Sequence, residues 1–116
     1  MIAYKLIKRE SGGSVYAGGD YLMIYEIGKV VRAPKGTLGI FCFVDLKSAR
    51  DFHGTCSLHN ILEVTANRRD IIKVNSICIY QSGEGLSKFY RGIYCGMMKP
   101  PRGTICFKKI RVLRYL

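Results

Sequence analysis

LGIFCFVDLKSARDF, residues 38–52, joins an apolar run to a short amphipathic pattern, and this join decides the fold class. Residues 38–44 are uninterrupted by polar side chains and include β-branched and aromatic members, which is typical of a strand buried on both faces. Asp45 follows at once and is a favourable helix N-cap. Apolar residues then recur at helical spacing: Leu46, Ala49 and Phe52. We therefore predict a central strand followed by one main helix over about residues 45–53.

Segments rich in strand-forming residues lie on both sides of this join and are separated by glycine-rich turns. They are residues 2–8, 29–32, 59–66, 70–80, 88–94 and 104–116. A chain of 116 residues is the usual size of one domain, and no linker divides it. The prediction is a single basic α+β domain over residues 1–116, with a mostly antiparallel, twisted sheet.

The charge balance is strongly basic, with 19 Lys and Arg against 8 Asp and Glu and a formal net charge of +11. Such a charge on a small protein creates a positive potential that attracts polyanions. Nucleic acid, a nucleotide or an acidic protein surface would fit it. The alternative is that the basic residues serve only solubility.

The cysteines and the apolar pattern indicate a compartment. Five cysteines make an odd number, and Cys42, Cys78 and Cys106 stand in strand-like apolar runs, where a free cysteine acts as a small hydrophobic residue. The start of the chain lacks the pattern of a secretory signal, and no run is long enough for a membrane span. We expect an intracellular, cytoplasmic protein in a reducing environment, with no membrane partner.

Four short motifs follow one another over roughly two thirds of the chain. They are Gly39-Ile40-Phe41, Ala49 with Phe52, Leu62-Glu63-Val64 and Val112-Leu113-Arg114. In this order they resemble small phage and bacterial domains of unknown function that sometimes occur beside pentapeptide repeats. The resemblance implies the same order of strands and helix, and an origin in a phage or mobile element.

The first three of these motifs are also distantly similar to the ADP-ribosyltransferase fold. That similarity implies a nucleotide-binding scaffold. The chain departs from the transferases because Tyr4 stands where the first strand of that fold carries His or Arg, and because it has no Ser-Thr-Ser element and no suitable late glutamate. A diverged ADP-ribosyltransferase-like enzyme is kept as an alternative.

One short motif has the spacing of metal ligands. His53, Cys56 and His59 are each three residues apart, so two imidazoles and a thiolate would converge on one zinc ion if the chain turned there. A structural zinc site needs a fourth ligand, which the sequence does not place nearby. A loop with a buried thiol is the ordinary interpretation, so we assign no cofactor, no metal and no catalytic residue, and keep these three as secondary candidates.

The candidate binding residues are basic side chains interleaved with aromatic ones towards the end of the chain. They are Arg68, Arg69, Lys88, Tyr90, Arg91, Lys99, Arg102, Lys109 and Arg111. Cations neutralise phosphates, while aromatic faces stack on unpaired bases. Strand alternation places Ile110 and Val112 inward and puts Lys109 and Arg111 on the opposite face.

These patterns favour a binding or inhibitory protein over an enzyme. We expect a basic protein, encoded by a phage or mobile element, that captures a polyanionic partner. That partner would be nucleic acid, a nucleotide messenger or a nucleoprotein of host defence. A module that docks on an acidic protein surface is the remaining alternative.

Overall fold

The computed structural model describes residues 1–13, 23–34, 39–53, 59–73, 77–78, 97–98 and 100–116. Its elements, in chain order, are β1 (Ile2–Lys8), β2 (Val30–Arg32), β3 (Ile40–Phe43), α1 (Leu46–His53), β4 (His59–Thr65), a 3-10 helix (Arg68–Asp70), β5 (Ile71–Ile72), β6 (Ile77–Cys78), β7 (Met97–Met98), β8 (Thr104–Phe107) and β9 (Lys109–Tyr115). The described part of the chain thus has one α-helix among many strands.

Seven of the strands form one sheet in the order β2-β9-β4-β1-β3-β8-β5, and every neighbouring pair is antiparallel. Strands β6 and β7 form a separate antiparallel pair. The mostly antiparallel α+β fold is therefore confirmed, with β3 inside the sheet as its apolar run predicted. No helix in the described ranges is long and apolar enough to cross a bilayer.

The sheet is strongly curled. Only Lys108 separates β8 from β9 in the chain, yet β4, β1 and β3 lie between them in the sheet. Four spacings of about 4.8 Å would hold them roughly 19 Å apart on a flat sheet, whereas two residues of chain span only about 7 Å. The sheet must bend until the end of β8 meets the start of β9.

The segment at residues 104–116 is thus two strands, and its interpretation as one strand was wrong. Both halves have the strand pattern, but the bend at Lys108 sends them to different parts of the sheet. The N–H of Lys108 donates to the carbonyl oxygen of Asp70, and its own carbonyl accepts from Ala33. These non-local bonds hold the bend, and local propensity carries no sign of them.

The concave face of the sheet encloses the larger core. Its buried members come from six strands and the segment before β2: Ala3, Ile7, Tyr25, Val31, Ile40, Cys42, Leu62, Val64, Phe107, Ile110 and Val112. Full burial of a large aliphatic or aromatic side chain contributes about 1.5–3 kcal/mol. This face therefore provides most of the hydrophobic stabilisation that positions β9.

Helix α1 covers part of the outer face. Leu6, Phe43 and Ile61 of the sheet pack with Ala49, and Leu46 and Phe52 flank them. The N-cap is confirmed, because the N–H of Ser48 donates to Asp45 Oδ1 over 2.7 Å. This hydrogen bond holds the pKa of Asp45 below its ordinary value.

The other strand predictions differ mainly at their ends. Residues 2–8 match β1, while β2 is one residue shorter than predicted and lies at a sheet edge. In the 70–80 segment, the described residues include the end of a 3-10 helix and the short strands β5 and β6. The strand predicted at residues 88–94 lies outside the described residues.

Candidate functional site

Strand β9 alternates between core and surface as its sequence predicted. Ile110 and Val112 are 1% and 0% exposed and belong to the concave core. Lys109 and Arg111 alternate with these two residues and occupy the opposite face of the strand, where Arg111 is exposed and Lys109 is half-buried. The curl that buries one set therefore presents the other on the outer side of the sheet.

The neighbouring edge strand adds a third cation. Arg32 of β2 lies directly opposite Lys109, and Val30 lies opposite Arg111. We call Arg32, Lys109 and Arg111 the basic strip. Like charges directly opposite each other in a sheet are destabilising unless a counter-ion is present.

No carboxylate pairs with the basic strip among the described residues. One Arg111 nitrogen, Nη1, reaches the carbonyl oxygen of Gly28 at 3.4 Å. Further along β9, by contrast, Arg114 lies opposite Glu63 of β4 and forms an ion pair with it at 2.7 Å. The ion pair gives Glu63 a structural role, so it is a poor candidate for a catalytic carboxylate.

A groove of about 260 Å³ runs beside the strip, between the end of β4 and the start of β9. It is lined by Met1, Val30, Thr65, Ala66, Asn67, Asp70, Lys109, Ile110 and Arg111. Asp70 is the one acidic residue of the lining, and its Oδ2 is buried with no hydrogen-bond partner in the described structure. The groove therefore offers two cationic side chains, while the unpaired Oδ2 of Asp70 is buried beneath its surface.

The structure brings four of the predicted binding residues into this neighbourhood. Lys109 and Arg111 line the groove, and the exposed Arg68 and Arg69 form the 3-10 helix with Asp70. Arg102 lies elsewhere, close enough to Asp45 at the start of α1 to lower the pKa of that carboxyl. Lys88, Tyr90, Arg91 and Lys99 lie outside the described residues.

The structure alters the prediction that the aromatic side chains among the basic residues stack on bases. Phe107, one of the aromatic residues interleaved with the basic ones, is 0% exposed in the concave core, so it cannot stack on a base. Tyr115, near the end of β9, is exposed. Of the aromatic residues that the sequence interleaves with the basic ones, Tyr115 is thus the described residue whose side chain is open to solvent.

Sequence reasoning missed Arg32 and Asp70. Arg32 was at the end of a predicted strand, but nothing local shows that this strand would pair with β9. Asp70 is the first residue of a predicted strand. In the structure it ends the 3-10 helix, and its carbonyl oxygen accepts a hydrogen bond from the N–H of Lys108. The one available signal was the Arg68-Arg69-Asp70 run beside a strand end.

A lysine lies within the sheet itself. Lys5 of β1 is only 7% exposed, and its Nζ lies 5.3 Å from the centroid of the Tyr25 ring. Burial lowers the pKa of Lys5. The thiols of Cys42 and Cys106 are buried as expected, and burial raises the pKa of Cys42 to about 12, so neither is a ready nucleophile.

The two histidines of the predicted metal motif approach each other. His53 ends α1 and His59 begins β4, and their ring centroids are 6.0 Å apart. Nδ1 of His53 is buried, with no hydrogen-bond partner in the described structure. Desolvation, then His53 and Lys8, lower the pKa of His59 and favour its neutral imidazole.

Cys56, the third residue of that motif, lies outside the described residues. Within the described ranges, no three His, Cys, Asp or Glu side chains come together as a metal-binding group. The histidines therefore form a pair whose chemistry differs from that of the basic strip.

Comparisons with protein-family models, curated proteins and solved structures found no match, so the function has to be inferred from the chain's own surface.

Proposed function

We propose that this protein is a non-catalytic polyanion-binding protein that captures single-stranded nucleic acid on the basic strip and the groove beside it. The observation that carries the proposal is the Arg32–Lys109 pair. Two cations lie directly opposite each other at a sheet edge, and neither forms an ion pair with a carboxylate among the described residues. An external anion would relieve their repulsion.

The chemistry of the strip suits phosphates. A guanidinium has five N–H donors in a planar fork, and Arg111 directs only one weak hydrogen bond at Gly28. Lys109 adds a point charge in the groove, while Arg68 and Arg69 extend the positive surface across the 3-10 helix. A phosphate chain bound along this surface would meet cations on both sides of the groove.

The resemblance to phage and bacterial domains supports a proposal about the biological role of this binding. A small basic protein made by a phage or mobile element would act by occupying nucleic acid, or a nucleic-acid-bound complex of host defence. Its mechanism is electrostatic capture with release of counter-ions, without a covalent step.

The Lys109→Ala/Arg111→Ala double variant is expected to bind a labelled single-stranded oligonucleotide at least about tenfold more weakly than the wild type. Each lost phosphate contact should lower the slope of log K against log salt by about 0.7, so the pair should lower it by about 1.4. Fluorescence anisotropy at a series of salt concentrations measures both quantities. Both side chains lie off the core, so the variant should remain folded.

Lys8→Ala/Arg9→Ala is the matched control, because it removes the same charge from exposed positions. Lys8 ends the strand that starts beside Met1 of the groove, about 20 Å away along the chain. The control should keep the wild-type salt slope. Equal losses in both double variants would mean that only net charge matters, and the strip would then not be the contact surface.

A further inference from the structure

The histidine pair is a second chemical feature that the proposed function does not use. His53 lies in the last turn of α1 and His59 opens β4. A histidine near a helix C-terminus is often explained by its favourable interaction with the helix dipole. That explanation leaves the buried Nδ1 of His53 without a partner, and such an atom calls for a specific cause, such as a bound ion.

The spacing of the two rings fits a shared ion. A coordinating nitrogen lies about 1.1 Å from the ring centroid and about 2.0–2.1 Å from a bound metal, so each centroid lies about 3.2 Å from the ion. Two imidazoles on one ion then have centroids about 5.2 Å apart at a tetrahedral angle and about 6.4 Å apart in a linear arrangement. The observed 6.0 Å falls within this range.

The backbone holds both rings in place without the loop between them. Helix α1 is fixed by the packing of Ala49 against Ile61 and its neighbours in the outer core. His59 belongs to the β1–β4 ladder, where it lies opposite Lys8. A site formed by these two residues therefore exists before any ion arrives, which lowers the ordering cost of binding.

The surroundings select the kind of ion. Neutral imidazole nitrogens suit zinc, copper and nickel, whereas magnesium and calcium require carboxylate or carbonyl oxygens. The charged neighbour across the ladder is Lys8, a cation that opposes hard ions held by charge alone. The pair thus fits a borderline transition metal.

We propose that His53 and His59 form a two-histidine site for one transition-metal ion of the zinc and copper class, with its remaining coordination positions open to water or to a further ligand. The site is separate from the basic strip, because it lies at the Lys8 end of β1 and the groove lies at the Met1 end. Metal binding and nucleic-acid binding are accordingly expected to be independent.

Isothermal titration with Zn²⁺ into metal-stripped protein, in a reducing buffer, tests the site. The wild type should bind one ion per chain, and His53→Asn and His59→Asn should each weaken binding about tenfold or more. Ring resonances of both histidines should shift together when Zn²⁺ is added, as seen by NMR of the wild type. Circular dichroism without metal checks that each variant is folded. If a variant is not folded, the NMR shifts of the wild-type histidines decide whether these two residues bind the ion.

Cys56→Ser is the control that separates the histidine pair from capture by thiols. Retention of most of the affinity in this variant supports the site. Three results would overturn it: no Zn²⁺ binding by the wild type, undiminished binding by both His53→Asn and His59→Asn, or ring resonances that do not respond. Loss of binding in Cys56→Ser alone, with both histidine variants unaffected, would likewise assign the ion to a thiol.

Discussion

Gly39→Ala is expected to destabilise the protein by about 2–6 kcal/mol, which is a large part of the free energy of unfolding of a small domain. Gly39 precedes β3 with φ of +93°, a conformation that strains residues with a Cβ by about 1–3 kcal/mol. A Cβ there would lie 2.6 Å from the carbonyl oxygen of Phe107 and 2.8 Å from Ile72 Cδ1. Such overpacking typically costs a further 1–3 kcal/mol.

Gly28→Ala is the matched control for this steric effect. Gly28 has a similar φ of +81°, but a Cβ there would meet nothing within 4 Å. Gly28→Ala should therefore lower the free energy of unfolding only by the conformational strain, about 1–3 kcal/mol. Urea denaturation of both variants measures the difference, and equal losses would show that the contact between Gly39 and β8 relaxes without cost.

Lys5→Met is expected to stabilise the protein by about 1–4 kcal/mol at neutral pH, because a buried amine is replaced by an apolar side chain of similar shape. Lys5 lies opposite Leu62 in the β1–β4 ladder, and burial lowers its pKa. The charged form is therefore less favourable in the folded chain than in the unfolded one. Removing the amine removes that penalty.

The stabilisation of Lys5→Met relative to the wild type is expected to decrease as the pH rises. Between the lowered pKa of folded Lys5 and the ordinary value of 10.5, the unfolded chain binds more protons than the folded one. The stability of the wild type relative to Lys5→Met must therefore rise with pH in that window. The advantage of the variant should be largest below the folded-state pKa and should shrink as pH approaches 10.5.

Chemical denaturation of both proteins between pH 6 and about pH 10 measures this difference, since titration of the other groups is common to the two. Lys8→Met on the same strand is the control: Lys8 is exposed, so stability should change by less than about 0.5 kcal/mol. A Lys5→Met variant that is less stable at every pH would show that contacts of the amine, including the Tyr25 ring at 5.3 Å, outweigh its desolvation.

Part of the candidate site could be predicted from sequence. The alternation of β9 follows from strand geometry, so the separation of Ile110 and Val112 from Lys109 and Arg111 needed no structure. The position of Arg32 opposite Lys109 could not be predicted in this way, because β2 and β9 are distant in the chain. Pairing partners depend on how the whole sheet is ordered, and no local preference encodes that order.

The burial of Lys5 could not be predicted from the sequence either. Lys5 follows Tyr4 in an alternating strand and reads as a solvent-facing residue. Its burial results from the curl, which closes the Lys5 face of β1 into the concave core, while the opposite face receives α1. Both faces of β1 are thus covered, and the alternation alone cannot show which positions reach water.

By itself, the sequence determined the strand-to-helix join at Asp45, the order of most strands along the chain and the two faces of β9, because capping and alternation depend only on near neighbours. The tertiary structure alone decided the break at Lys108, the curl of the sheet, the pairing of Arg32 with Lys109 and the approach of His53 to His59. These features depend on contacts between residues far apart in the chain, and their free energy appears only once the strands pair and the two faces of the sheet are buried.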